Sequence, residues 1–154
     1  MTGEHPETQS HYQVRFDRGK RGAAAVGVGC DVLVWADALG EPKPPALGDD
    51  VLLLIAGRGA AETVAAQILE RQTRLGRRCV VAVVAAGDSY VNGDFRAAVE
   101  DDLLAGAVVN ALAGQGIDFQ SPEAAVVAAA AAALHRAARQ VTNASVTARA
   151  TTGS

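Results

Sequence analysis

Aromatic residues are scarce in this chain: Phe, Trp and Tyr make up 4% of its 154 positions, although 49% of residues are hydrophobic by type. The core must therefore be assembled from Ala, Val and Leu. Cysteine is nearly absent too. Cys30 and Cys79 each stand beside an apolar run without Cys-x-x-Cys or Cys/His spacing, so buried, inert thiols are expected. His5 and His11 lie in the polar beginning and His135 late in an alanine-rich run, and no zinc ligand set follows from that spacing. Excess positive charge is also missing. The net charge is -3, and the densest basic group, Arg74, Arg77 and Arg78, falls at an expected helix end. Cations are favoured there in any case, which argues against a nucleic-acid partner. No apolar run is long enough to cross a bilayer, and the polar beginning lacks a signal-peptide core, so a cytoplasmic protein with no membrane partner is expected.

What is present reads as one domain. The length allows a real core but leaves little room for a second one. Residues 1–10 are polar, contain Pro6 and form an expected flexible leader. Residues 11–17 alternate polar and apolar, the pattern of a half-buried or edge strand. Gly19 and Gly22 interrupt it, and Ala23-Ala24-Ala25-Val26 leaves room for a helical turn or two. Residues 31–37 read as a central strand ending in Asp37. Residues 40–48 contain Pro42, Pro44 and Pro45, which exclude regular structure and leave a solvated connector or a lid. Residues 51–56 are a third strand. Ala61, Val64, Ala65, Ile68 and Leu75 then mark a helix face, with Glu70 and Arg74 paired outside and Gly76 at the end. Between strand and helix, Gly57-Arg58-Gly59 resembles the opening of a dinucleotide fingerprint. Glu62 stands at the third glycine position and would repel a pyrophosphate, so a tight turn is expected instead.

Residues 80–86 are an unbroken run of Val and Ala, as in a strand buried on both faces. Residues 87–89 end it and Tyr90-Val91-Asn92-Gly93-Asp94 is turn chemistry. A helix follows, opening on Glu100, Asp101 and Asp102, with Leu103, Leu104, Ala107, Val108, Ala111 and Leu112 on one apolar face. After a connector, Ser121-Pro122-Glu123 starts a helix over 124–138. Residues 142–154 are small and polar and form an expected flexible tail. The order of elements predicts an α/β fold: a single three-layer domain over 11–141 with a largely parallel or mixed central sheet.

Two readings of the acids stand side by side. Carboxylates in a helix's first turn complement its dipole, and Asp88 and Asp94 suit turns. Yet Asp88, Asp94, Glu100, Asp101 and Asp102 crowd around one expected strand end and Asp37 closes another, where open α/β sheets place ligands. Hard oxygen donors of this kind suit Mg2+.

Several stretches resemble one family, the magnesium-dependent 2-phosphosulfolactate phosphatases, in a shortened and divergent form of the actinobacterial type. They are Val14-Arg15-Phe16-Asp17-Arg18-Gly19, Asp37-Ala38-Leu39, and Val83-Val84-Ala85-Ala86-Gly87 followed by Asp88. Further on come Arg96, Val99-Glu100-Asp101, Leu104-Ala105-Gly106-Ala107 and Ser121-Pro122-Glu123-Ala124-Ala125. The resemblance implies Mg2+ held by Asp37, Glu100 and Asp101, with Asp88 orienting the attacking water. Arg96 or Arg58 would clamp a small phosphorylated or sulfonated acid. Residues 41–50 stand where the family carries a long middle section. That shortening raises the alternative of a catalytically degenerate binding or oligomerisation module. It also predicts uncovered apolar surface and hence a homo-oligomer.

Overall fold

A computed structural model describes residues 5–152. Four short apolar runs become the strands of a parallel sheet: β1 (Val14–Arg18), β2 (Val32–Ala36), β3 (Leu52–Ala56) and β4 (Val81–Ala85), in the order β1-β4-β2-β3. The registers run Val14 with Val81, Val32 with Val81 and Val32 with Leu52, so all four strands end at one edge. Helices cover both faces, which makes the expected single three-layer α/β domain.

The strand period of two decides which layer each side chain joins. Val32, Val34, Ala36, Val81, Val83 and Ala85 face α2 (Ala61–Leu75), α3 (Val99–Gly114) and α4 (Pro122–Ala133). Leu33, Trp35, Ala82 and Val84 face the short α1 (Gly19–Val26) and the connector residues Leu47 and Val51. One layer is thick and the other thin. Among the described residues no helix is long and apolar enough to cross a membrane.

Local signals behave as their chemistry requires at α2 and α4. Arg74 reaches Glu70 at 2.6 Å on the outside of α2, and Gly76 ends that helix in the left-handed conformation. Ser121, fully buried, caps α4 by accepting the Ala124 N–H at 3.1 Å. Ser121→Ala is therefore expected to cost about 1–2 kcal/mol, the upper range for a lost cap, in urea denaturation.

Gly19 ends β1 as expected, and with Gly22 it is buried within α1, which runs for eight residues, because small residues let the helix lie against the strand it follows. Three expectations are corrected. Residues beyond 141 are helical, in α5 (Ala138–Asn143) and α6 (Val146–Thr152), with Thr142 and Ser145 buried. Residues 135–137 form a single 3-10 turn between α4 and α5 instead of continuing α4. In the expected leader, Pro6–Thr8 makes another 3-10 turn, and the Gln9 side chain bonds the Phe16 carbonyl and N–H at 2.7 and 3.0 Å. Residues 1–4 and 153–154 of the expected leader and tail lie outside the described residues.

The helix α3 also differs from a one-faced amphipathic element. Leu103, Leu104, Ala105, Gly106, Val108, Val109, Ala111 and Leu112 are all buried, because α3 packs on the sheet with α2 along one flank, α4 along the other and α5 against it.

Candidate functional site

At the carboxyl edge of the sheet a cleft of about 760 Å³ opens between the loops that follow β1, β2 and β4. A two-stranded hairpin, β5 (Asp88–Ser89) with β6 (Phe95–Arg96), also lines it. Gly87 starts this hairpin at φ +73, and Phe95 lies directly against it and against Gly19. An L side chain at 87 would be strained in its backbone and would collide with the Phe95 ring.

Five carboxylates line the cleft: Asp37 after β2, Glu41 in the connector, Asp88 after β4, and Glu100 and Asp101 from the first turn of α3. Their environments separate them. Asp101 is 3% exposed, and its two oxygens accept the N–H of Ala38 at 2.8 Å and of Gly87 at 2.9 Å. It thereby ties the loop after β2 to the loop after β4. Burial pushes its carboxyl up to about 7, with Asp37 and Glu100 adding repulsion, against the two N–H donors that favour the charged form. Asp37 accepts the Gly40 N–H at 2.7 Å and so holds its own turn. Glu100 is 2% exposed, and its Oε2 has no partner.

The third acid of that helix turn is drawn elsewhere: Asp102 pairs with Arg18 through bonds of 2.9 and 3.2 Å. Asp88 pairs with Arg96 at 3.0 Å, and both bond the Thr147 hydroxyl of α6 at 3.1 and 2.9 Å. The segment expected to be a loose tail thus anchors the base of the hairpin.

No family model matches this chain, and neither a curated protein nor a solved structure matches it.

The residues themselves define what the cleft can do. Asp37, Asp88, Glu100 and Asp101 are brought together in it. Arg96 stands behind Asp88 and contributes through that carboxylate. Arg58 lies outside it, in a neighbouring cavity of about 300 Å³ that Glu100 also lines, and is 3.4 Å from Asn143. The cations in the main cleft are instead Arg18, Lys20 and Arg21, where β1 passes into α1, and Lys43 from the proline-rich connector. Sequence reasoning passed over them, although Arg18-Gly19-Lys20-Arg21 at a strand end carried the signal. Trp35 was missed as well. It is 3% exposed, lines the cleft, and its Nε1 donor has no partner.

Among the described residues, no three His, Cys, Asp or Glu side chains are grouped to hold a metal ion. Mg2+ asks for less, since it usually takes one or two carboxylates and keeps several waters. Asp37 and the open oxygen of Glu100 suit that demand. Asp101 is committed to backbone donors on both oxygens and fits better as the brace behind them.

Proposed function

We propose that the cleft is the site of a Mg2+-dependent phosphatase acting on 2-phosphosulfolactate or a related small phosphate monoester. The observation that carries this reading is the meeting of Asp37, Asp88 and Glu100 with Lys20, Arg21 and Lys43 in one cleft at the carboxyl edge of a parallel sheet. Asp37 and Glu100 would hold the ion, which supplies neutralisation of charge on the phosphoryl oxygens. Lys20, Arg21 and Lys43 offset the negative charge of the phosphate and of a second acidic group on the substrate. Trp35 offers a buried N–H to a ligand oxygen. Asp88, fixed by Arg96 and Thr147, accepts a hydrogen bond from the attacking water. The water oxygen bonds to phosphorus as the ester P–O bond breaks, and the alcohol leaves with the water's proton.

Thermal melting with and without Mg2+, together with phosphate release, tests this. At ten times its dissociation constant the ion should stabilise the protein by about 1.4 kcal/mol. Glu100→Gln should remove both that shift and the turnover of 2-phosphosulfolactate or a simple monoester. Wild-type protein with neither property would leave the fold as a non-catalytic binding or oligomerisation module.

A further inference from the structure

The two edges of the main sheet are finished differently. At β1 the outward backbone is satisfied: Val14 donates to the Phe119 carbonyl and accepts from Ser121, each at 2.9 Å, while the Gln9 side chain serves Phe16. At β3, Leu52 donates to the Asp31 carbonyl and Ala56 accepts the Asp37 N–H, so Leu52, Leu54 and Ala56 turn towards β2. Leu53 and Ile55 therefore present their N–H and C=O outward. Among the described residues nothing caps them. The strand is Leu-Leu-Leu-Ile-Ala, and Ile55 is 41% exposed. Edge strands that stay single are usually guarded by charge, proline or a covering segment. None of these guards lies within β3.

We propose that β3 is the interface with a second copy of this chain, paired antiparallel about a two-fold axis at Leu54, so that one sheet runs through both subunits. The charges flanking the strand select a second copy and this register. Asp50 lies four residues before Leu54 and Arg58 four residues after it. An axis at Leu54 brings the turn that carries each Asp50, just before β3, level with the turn that carries the partner's Arg58, just after it. It also sets Leu53 opposite the partner's Ile55, with the outward backbone groups of both facing each other as hydrogen-bonded pairs. Leu54 meets the partner's Leu54 as a non-hydrogen-bonded pair, the arrangement in which side chains come closest. Moving the axis to Leu53 or Ile55 keeps the backbone match but sets Asp50 opposite an alanine, the partner's Ala56 or the partner's Ala60. Both charges are available for this. The Asp50 side chain makes no bond among the described residues, where only its carbonyl accepts from Arg71, and exposed Arg58 has just the 3.4 Å contact to Asn143. The pairing is independent of catalysis, because Arg58 lies outside the main cleft.

Sedimentation velocity on the full chain tests it. Wild-type protein at micromolar concentration is expected at twice the chain mass of 15.7 kDa. Asp50→Arg and Arg58→Asp each place like charges at both ends of the interface and should each weaken the dimer by about tenfold or more. Mixed in equal amounts, the two variants are complementary at both ends and should form a heterodimer, which misfolded variants would not do. Ile55→Pro removes an outward donor without touching the bonds to β2, and should give a folded monomer. Amide exchange at Leu53 and Ile55 should be slow in the wild type and fast in the monomeric variants. A wild-type monomer overturns the proposal, even one that binds an added apolar strand peptide at this edge. So does a dimer indifferent to both charge changes, or a mixture that fails to pair.

Discussion

Gly106→Ala should destabilise the fold by roughly 3 kcal/mol, the upper range for overpacking a close contact. Gly106 sits in α3 where it crosses α4, the most extensive helix pairing in the molecule. A Cβ there would fall on the Val127 backbone carbonyl and lie 2.8 Å from the Ala131 Cβ. Neither can yield by rotating a side chain, so the helices must separate. Separation also strains the bond of 2.8 Å from the Asn110 side chain to the Ala128 carbonyl. Gly114, in the last turn of the same helix, has open space around its Cβ position. Gly114→Ala should therefore be neutral or stabilising by up to about 1 kcal/mol. Urea denaturation of both variants is the measurement; equal midpoints would refute the close-packing account.

Asp101→Ala is the second large effect. It leaves the buried side of the Ala38 and Gly87 amides without their acceptor, at roughly 1–3 kcal/mol each. It also frees the two loops that carry Asp37 and Asp88. The expected result is lower stability together with weaker Mg2+-induced stabilisation. Asp101→Asn keeps one acceptor and should be milder. A metal-free Asp101→Ala melting like the wild type would remove the bracing role.

The same residue sets a pH dependence. Its folded-state value near 7 stands above the ordinary 3.8, because burial and the neighbouring acids outweigh the two N–H donors. The folded chain thus holds this proton more tightly than the unfolded chain does. That contribution is fully present below pH 3.8 and is lost as pH rises towards 7. Melting temperatures in chelator should fall between mildly acidic and neutral pH, and Asp101→Asn should flatten that part of the profile. A profile unchanged by the substitution would assign the slope to other groups.

The fold was legible from local pattern. Unbroken Val, Leu and Ala runs marked β2, β3 and β4, alternation marked β1 as a half-buried or edge strand, of which the sheet order makes it an edge, and the Ser-Pro-Glu start and Gly76 stop bounded helices. These signals are properties of neighbouring residues, which is why a single chain carries them. Positions of Asp37, Asp88, Glu100 and Asp101 at strand ends followed too, since parallel strands bring their carboxyl ends to one edge.

What separates those acids is tertiary. Glu100, Asp101 and Asp102 are consecutive and chemically alike, and only the family resemblance set the first two apart from the third. Packing gives Asp101 two backbone donors, draws Asp102 to Arg18 across the sheet edge, and leaves an oxygen of Glu100 unpartnered. The helical tail was hidden for the same reason: its Thr142 and Ser145 are polar, and only docking on the domain buries them and sets Thr147 on the Asp88–Arg96 pair. Composition and spacing determined the layers and the edge where a site could form. Partners distant in sequence decided the work of each side chain, because burial and hydrogen bonding are settled by whatever the fold brings alongside.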